Sequence, residues 1–184
     1  MLCTKVFGIG LSRTGTTSLN EALNILGIKS LHFPSFVGPL SYCGILKINA
    51  EHFDYDGLTD TPVAYSYKKL DKKFPGSKFI FTERDIDSWL TSCEKYKAFR
   101  PENQNPVALD LLHKKLYWTT IFDEKLFRKA YEKHKADVSN YFRNREDDLL
   151  RINITKGERW ERLCIFLDKE IPQDTPFPHS NKSN

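Results

Sequence analysis

The sequence predicts an α/β fold: a three-layer arrangement in which a mainly parallel β-sheet is flanked by helices on both faces. Two observations point there. Short apolar runs rich in β-branched and aromatic residues alternate along the chain with segments whose apolar residues recur at helical spacing. A chain of 184 residues with 40% hydrophobic residues is also long enough to bury one proper core. We therefore expect a single domain over 1–184, with residues 172–184 forming an irregular C-terminal tail.

The elements follow in order. "CTKVFGIG" (3–10) reads as a buried strand, and residues 16–27 carry leucine and isoleucine at helical spacing up to Gly27. "IKSLHF" (28–33) is a second strand, followed by an aromatic, Pro/Gly-interrupted stretch over 34–57. "DGLTDTP" (56–62) is a short strand ending at a proline, and "YSYKKLDKKF" is a helix closed by the turn "PGS". "KFIFTERD" (78–85) is a strand, after which "IDSWLTSCEKYKAF" resumes the helical period. From Pro106 to about Arg143 the pattern is helical, with a break near Thr119 to Asp123. "DLLRINI" gives a last strand and "KGERWERLCIFLDKE" a closing helix. Strands alternating with helices favour parallel pairing, because each crossover lays a helix on the sheet.

Composition narrows the function. A net charge of +4, from 28 basic and 24 acidic residues, is too small and dispersed for a nucleic-acid groove and suits a protein that binds a small polyanion. Cys3, Cys43, Cys93 and Cys164 are widely spaced without a Cys-x-x-Cys pair, which reads as reduced structural thiols and as neither disulfides nor zinc. No run approaches the roughly 18 apolar residues of a membrane span, and no signal-like N-terminus precedes the first strand. The expected location is cytoplasmic. The runs "KKLDKK" and "RNREDD" read as solvated helix faces, and His52, His113 and His134 as surface residues.

The chemistry concentrates in "GLSRTGTTSL" (10–19), between the first strand and the first helix. Gly10 and Gly15 let the backbone fold closely around an anion, and the unpaired amides opening the helix aim the positive end of its dipole there. Ser12, Thr14, Thr16, Thr17 and Ser18 add hydroxyls, and Arg13 adds a cation. The glycine spacing matches the G-x-x-x-x-G-K-[ST] loop of nucleotide hydrolases, but Thr16 stands where that loop has its lysine. This P-loop-like segment thus argues against ordinary ATP or GTP hydrolysis. A plain connecting turn is the alternative.

"SRTGTTSL" resembles the 5′-phosphosulfate loop of sulfotransferases that use 3′-phosphoadenosine 5′-phosphosulfate (PAPS). That family also has a strand ending in arginine, followed eight residues later by a serine; here "KFIFTERD" ends at Arg84 and Ser92 follows at that spacing. The W-x-x-L-C-x-F-L and P-F-P patterns of the C-terminal segment are similar to those of a small branch of the family. The resemblance implies that residues 12–18 hold the phosphosulfate, and that Arg84 and Ser92 hold the 3′-phosphate. It gives Lys156, at the start of the closing segment, a further basic contact. Arg84 has a competing ion-pair reading, since Glu83, Asp85 and Asp87 are its neighbours, and Ser92 one as a plain helix-surface residue. Arg13 would stabilise charge on the departing 5′-phosphate electrostatically, because arginine does not give up its proton.

The resemblance also implies a base for the acceptor. Relatives carry a histidine in a Thr-His-x-Pro stretch where this chain has "LTDTP", so Asp60 falls at the base position. An aspartate, with an ordinary pKa of about 3.9, would act with a raised value or take the proton late. A helix cap at Asp60 is the competing reading, and His32, at the end of the second strand, is the reserve base. Phe33, Phe36, Tyr42, Tyr117 and Trp118 line a cleft or fill a core. The expectation is a sulfotransferase that forms 3′,5′-adenosine bisphosphate and needs no metal. Its acceptor would be a small molecule, carbohydrate, lipid or peptide. A P-loop-type phosphotransferase and a non-catalytic nucleotide-binding module are the competing classes.

Overall fold

The first strand, β1 (Val6–Gly8), runs through the middle of the sheet. In this computed structural model, which describes residues 4–35 and 48–180, five parallel strands stand in the order β2-β3-β1-β4-β5. β2 (Ser30–His32) is one edge, followed by β3 (Gly57–Thr59); β4 (Lys78–Thr82) and β5 (Leu149–Ile152) lie on the other side of β1. Cys3, Cys43, Phe36 and Tyr42 fall outside the described residues.

Alternation along the strands builds two cores. Val6, Ile80, Leu150 and Ile152 point to one face, where helix α1 (Thr16–Ile25) brings Leu19 and Leu23, and the closing helix α6 (Trp160–Leu167) brings Leu163. Phe7, Leu58, Phe79 and Phe81 point to the other, against Val63 and Tyr67 of α2 (Thr61–Lys73) and Val138 and Phe142 of α5 (Glu124–Phe142). Beyond the strand ends, α3 (Ile86–Glu94) and α4 (Val107–Tyr117) close a third cluster around Trp89, Tyr117 and Phe127. The predicted break between α4 and α5 is observed, with Trp118 turning the chain at φ 60°.

Each strand is shorter than its apolar run. Ladder hydrogen bonds still reach one residue past the strand ends, from the Ile9, Phe33 and Glu83 amides to the Ile80, Thr59 and Ile152 carbonyls. Two surface expectations fail. His113 is 2% exposed and packs on Phe99, and His134 Nε2 donates to the Ile9 carbonyl at 2.8 Å from inside the α5 face. Asp71, within "KKLDKK", is buried as well and takes both guanidinium nitrogens of Arg145, from "RNREDD", at 3.2 and 2.6 Å. A helix face meets solvent or sheet according to its neighbours, and its own composition does not distinguish the two. Cys93 and Cys164 are buried free thiols. Among the described residues no helix is long and apolar enough to cross a membrane.

The chain order makes a crevice. The crossover leaving β1 goes to the β2 side, whereas the one leaving β4 goes to the β5 side, so the loops after these adjacent strands diverge. Ligands of open α/β sheets bind outside the carboxyl ends of the strands at such a point. The glycine loop follows β1, and Arg84 follows β4.

Candidate functional site

The loop is held open from behind by its own polar side chains. Thr14 donates to the Leu11 carbonyl at 2.7 Å and shares a 2.6 Å hydrogen bond with Thr82 at the end of β4. The Ser12 hydroxyl bonds Thr61 and donates to Asp60 at 3.2 Å, while the Trp89 indole donates to the Ser12 carbonyl at 2.9 Å. Ser12 and Thr14 therefore brace the loop, and their hydroxyls are spent in doing so. Gly10 must be glycine for this brace: a Cβ there would stand 1.8 Å from Thr82 Oγ1 and 2.9 Å from the Thr82 carbonyl oxygen. Arg13 and Gly15 take left-handed φ values of 70° and 100°, which turn the backbone into α1 without a side-chain cap. The first amides of α1 consequently face outward toward the crevice.

A cavity of about 410 Å³ lies in front of them, lined by Arg13, Gly15, Thr16, Thr17, Ser18 and Arg84, and also by Ile154, Thr155, His179 and Ser180. Six of the predicted residues thus share one cavity. The last four were not anticipated, since residues after β5 and at the chain end carry no loop-like spacing.

Two cations meet at its edge. Arg84 Nη1 donates to the Arg13 carbonyl at 3.1 Å and Nε to Ser88 Oγ at 2.8 Å, and its backbone is clamped by Tyr131. Arg13 Nε donates to Ser92 Oγ at 3.0 Å, and its guanidinium lies over Tyr96, 4.9 Å from the ring centroid. Of the two residues expected to share the 3′-phosphate, Arg84 is held by Ser88, and Ser92, 5% exposed, holds Arg13. The two serines are one helical turn apart on α3, and each supports the arginine nearest it. None of the acids beside Arg84 pairs with it. Glu83 bonds Arg151 and Lys135, Asp87 bonds Arg128, and Asp85 caps α3 through the Ser88 amide. Burial, and then the nearby Arg13 charge, pull the pKa of Arg84 below its ordinary value. Lys156 does not reach this cavity; it lines an adjoining hollow of about 590 Å³ that Arg84 shares with Lys135 and Arg151.

The two base candidates are in contact. His32 Nε2 lies 3.2 Å from Asp60 Oδ2, while Ser12 and Thr61 donate to Oδ1 at 3.2 and 2.9 Å. His32 Nδ1 lies 3.1 Å from Thr59 Oγ1, which donates on to Asn20 Oδ1 at 3.3 Å. Parallel pairing of His32 with Thr59 across β2 and β3 brings this about, since Asp60 comes next in the chain. Asp60 does occupy the cap position of α2, but its side chain makes no cap hydrogen bond. Its backbone, at φ 84° and ψ −174°, sits in a region comfortable only for glycine. The carboxylate is 9% exposed and the imidazole 29%. Thr17 joins the pair to the cavity: it lines the cavity, and its Oγ1 lies 3.4 Å from His32 Nε2. Of the aromatic candidates, Tyr117 is core, whereas Phe33 and Trp118 are 39% and 42% exposed. Among the described residues no group of three or more His, Cys, Asp or Glu gathers as a metal site.

A relative, "Ava biosynthesis cluster protein M" of Aspergillus versicolor, is 28% identical over 211 aligned residues, covering 95% of this chain and 80% of that protein. A family model described as a sulfotransferase domain matches residues 5–184. That match spans the anion cradle, the arginine after β4 and the closing segment alike, and with it the chain belongs to the sulfotransferase domain family.

Proposed function

We propose that the protein transfers a sulfuryl group from PAPS to a hydroxyl or amine acceptor and releases 3′,5′-adenosine bisphosphate, as an enzyme of class EC 2.8.2. The observation that carries this reading is the pair of guanidiniums, Arg13 and Arg84, converging on the uncapped start of α1 with no salt bridge to either among the described residues. A polyanion with two separated phosphates fits such a site, and the missing lysine at Thr16 disfavours a nucleoside triphosphate with magnesium. PAPS supplies the activated sulfur, to which the acceptor oxygen or nitrogen bonds as the bridging oxygen leaves with the 5′-phosphate.

The residues divide the work. Arg13, Thr16 and Thr17, with the first amides of α1, stabilise charge growing on the departing 5′-phosphate, where preorganised donors lower the barrier. Ser18 belongs to this cradle through its place in the cavity. Ser92 acts through Arg13, fixing its guanidinium. Arg84, oriented by Ser88, takes the 3′-phosphate with a fork of donors, and Lys156 adds positive charge from the adjoining hollow. His32 and Asp60 receive the acceptor proton as a unit. Nε2 of His32 contacts Asp60 and Nδ1 contacts Thr59, so the two side chains are held in one network. The biosynthesis cluster named for the fungal relative favours a small molecule as the first acceptor class to screen.

Calorimetric titration tests the donor. The protein should prefer 3′,5′-adenosine bisphosphate to ATP with magnesium, and Arg84→Ala should weaken the bisphosphate by about 10–100-fold, the worth of a hydrogen bond to a charged group. Preference for ATP refutes the reading. Once an acceptor is found, Asp60→Asn and His32→Gln should each abolish most transfer, and the double variant should lose no more than the worse single one.

A further inference from the structure

The outer wall of the cavity is made by the end of the chain. After α6, Asp168 turns the backbone at φ 51°, and the segment runs back over the α1 face of the sheet without forming a helix or strand. It is nonetheless pinned at three places. The Trp160 indole donates to the Thr175 carbonyl at 2.8 Å. Phe177, 7% exposed, packs edge-on against Trp160 at 4.8 Å within the core shared with Leu19 and Leu163. The Ser180 amide then donates to Ser18 Oγ at 3.1 Å, and its hydroxyl to Glu21 at 2.5 Å. Proline on either side of Phe177 fixes φ and limits the conformations the strap can adopt when free.

This anchoring sets His179 and Ser180 at the cavity, facing the cradle that holds Arg13, Thr16 and Thr17. Ser18 ties the two together: its oxygen accepts from the strap, and the hydroxyl belongs to the first turn of α1. An imidazole N–H beside uncapped amides and two guanidiniums adds one more donor for an anion. We propose that His179 binds the 5′ end of the sulfuryl donor, while Ser180 holds the strap in place through Ser18 and Glu21, so that residues 175–180 are a working wall of the nucleotide site. Resting on the sulfotransferase reading, the proposal adds an anion-binding contact from a part of the chain that has no loop motif.

The test uses the full-length protein and titrates 3′,5′-adenosine bisphosphate and adenosine 5′-monophosphate into wild type, His179→Ala, Phe177→Ala and Arg84→Ala. His179→Ala should weaken both nucleotides by about the same factor, near tenfold for one hydrogen bond to a charged group, with an unchanged melting temperature when unliganded. Arg84→Ala should weaken the bisphosphate far more than the monophosphate. Hydrogen exchange over 175–180 should slow when the bisphosphate binds wild type. If His179→Ala keeps wild-type affinity for both nucleotides while Arg84→Ala loses the bisphosphate, the strap is structural and this inference alone fails. Should wild type bind neither nucleotide, both readings fall. Phe177→Ala separates anchoring from contact: it should weaken nucleotide binding through a released strap even at temperatures well below its melting point, and undiminished affinity there would overturn the proposal.

Discussion

Asp60 allows strain and chemistry to be separated in one experiment. Its φ of 84° and ψ of −174° lie where any residue with a Cβ is strained by about 1–3 kcal/mol. Asp60→Ala and Asp60→Gly both delete the carboxylate and with it the contacts to Ser12, Thr61 and His32, so the two variants differ in backbone freedom alone. Relief of strain near the top of that range, about 2–3 kcal/mol, is offset by about 0.4–1 kcal/mol for the greater entropy of glycine in the unfolded chain. The glycine variant should therefore be more stable than the alanine variant by about 1–2 kcal/mol, or about 2–8 °C in melting temperature for a chain of this size. Thermal and urea unfolding measure this, with equal urea slopes showing that the unfolded states match. Neither variant should catalyse transfer. An alanine variant as stable as the glycine one, or more so, would show that the backbone at this position is relaxed, and the link between strain and a functional carboxylate would be lost.

Gly10→Ala should cost about 2–6 kcal/mol, because its Cβ meets Thr82 and must break the Thr14–Thr82 hydrogen bond, adding overpacking of about 1–3 kcal/mol to a stranded hydroxyl of about 1–3 kcal/mol. Gly27→Ala, with nothing within 4 Å of the new Cβ but a φ of +76°, should cost only about 1–2 kcal/mol in the same urea titration. The pH profile isolates a buried histidine. Burial pushes His113 down to about 4, weakly opposed by Asp110. Below about 6.5 the unfolded chain takes up a proton that the folded chain refuses, so this stability is full above that pH and lost progressively toward 4. The loss amounts to about 3 kcal/mol, and in His113→Leu the acid slope should shrink by that much while His134, also lowered by burial, keeps its own share.

Much of the fold was legible because it is written locally. The short apolar run in "KFIFT" and helical spacing in residues 16–25 are local features, and the strand-helix order favours parallel pairing. The cradle was legible for the same reason, since Gly10, Arg13, Gly15 and Thr16 to Ser18 form one continuous turn. Arg84 was legible because it ends a strand whose apolar run stops abruptly at Glu83. The helical surface histidines were misread because amphipathic composition does not say what packs against a face; α5 lies on the sheet through Val138 and Phe142, and His134 lies on the same face.

By itself, then, the sequence determined the α/β layering, the glycine loop after the first strand and the arginine after the fourth, all set by short-range periodicity and turn chemistry. Which serine serves which arginine, that His32 and Asp60 form a pair, and that the chain end walls the cavity were decided only by tertiary structure. The physical reason is lateral order: β2 lies beside β3 and aligns His32 with Thr59, and Phe177 finds Trp160 across the core. Burial of apolar surface over the whole sheet chooses those neighbours, and no local spacing encodes them.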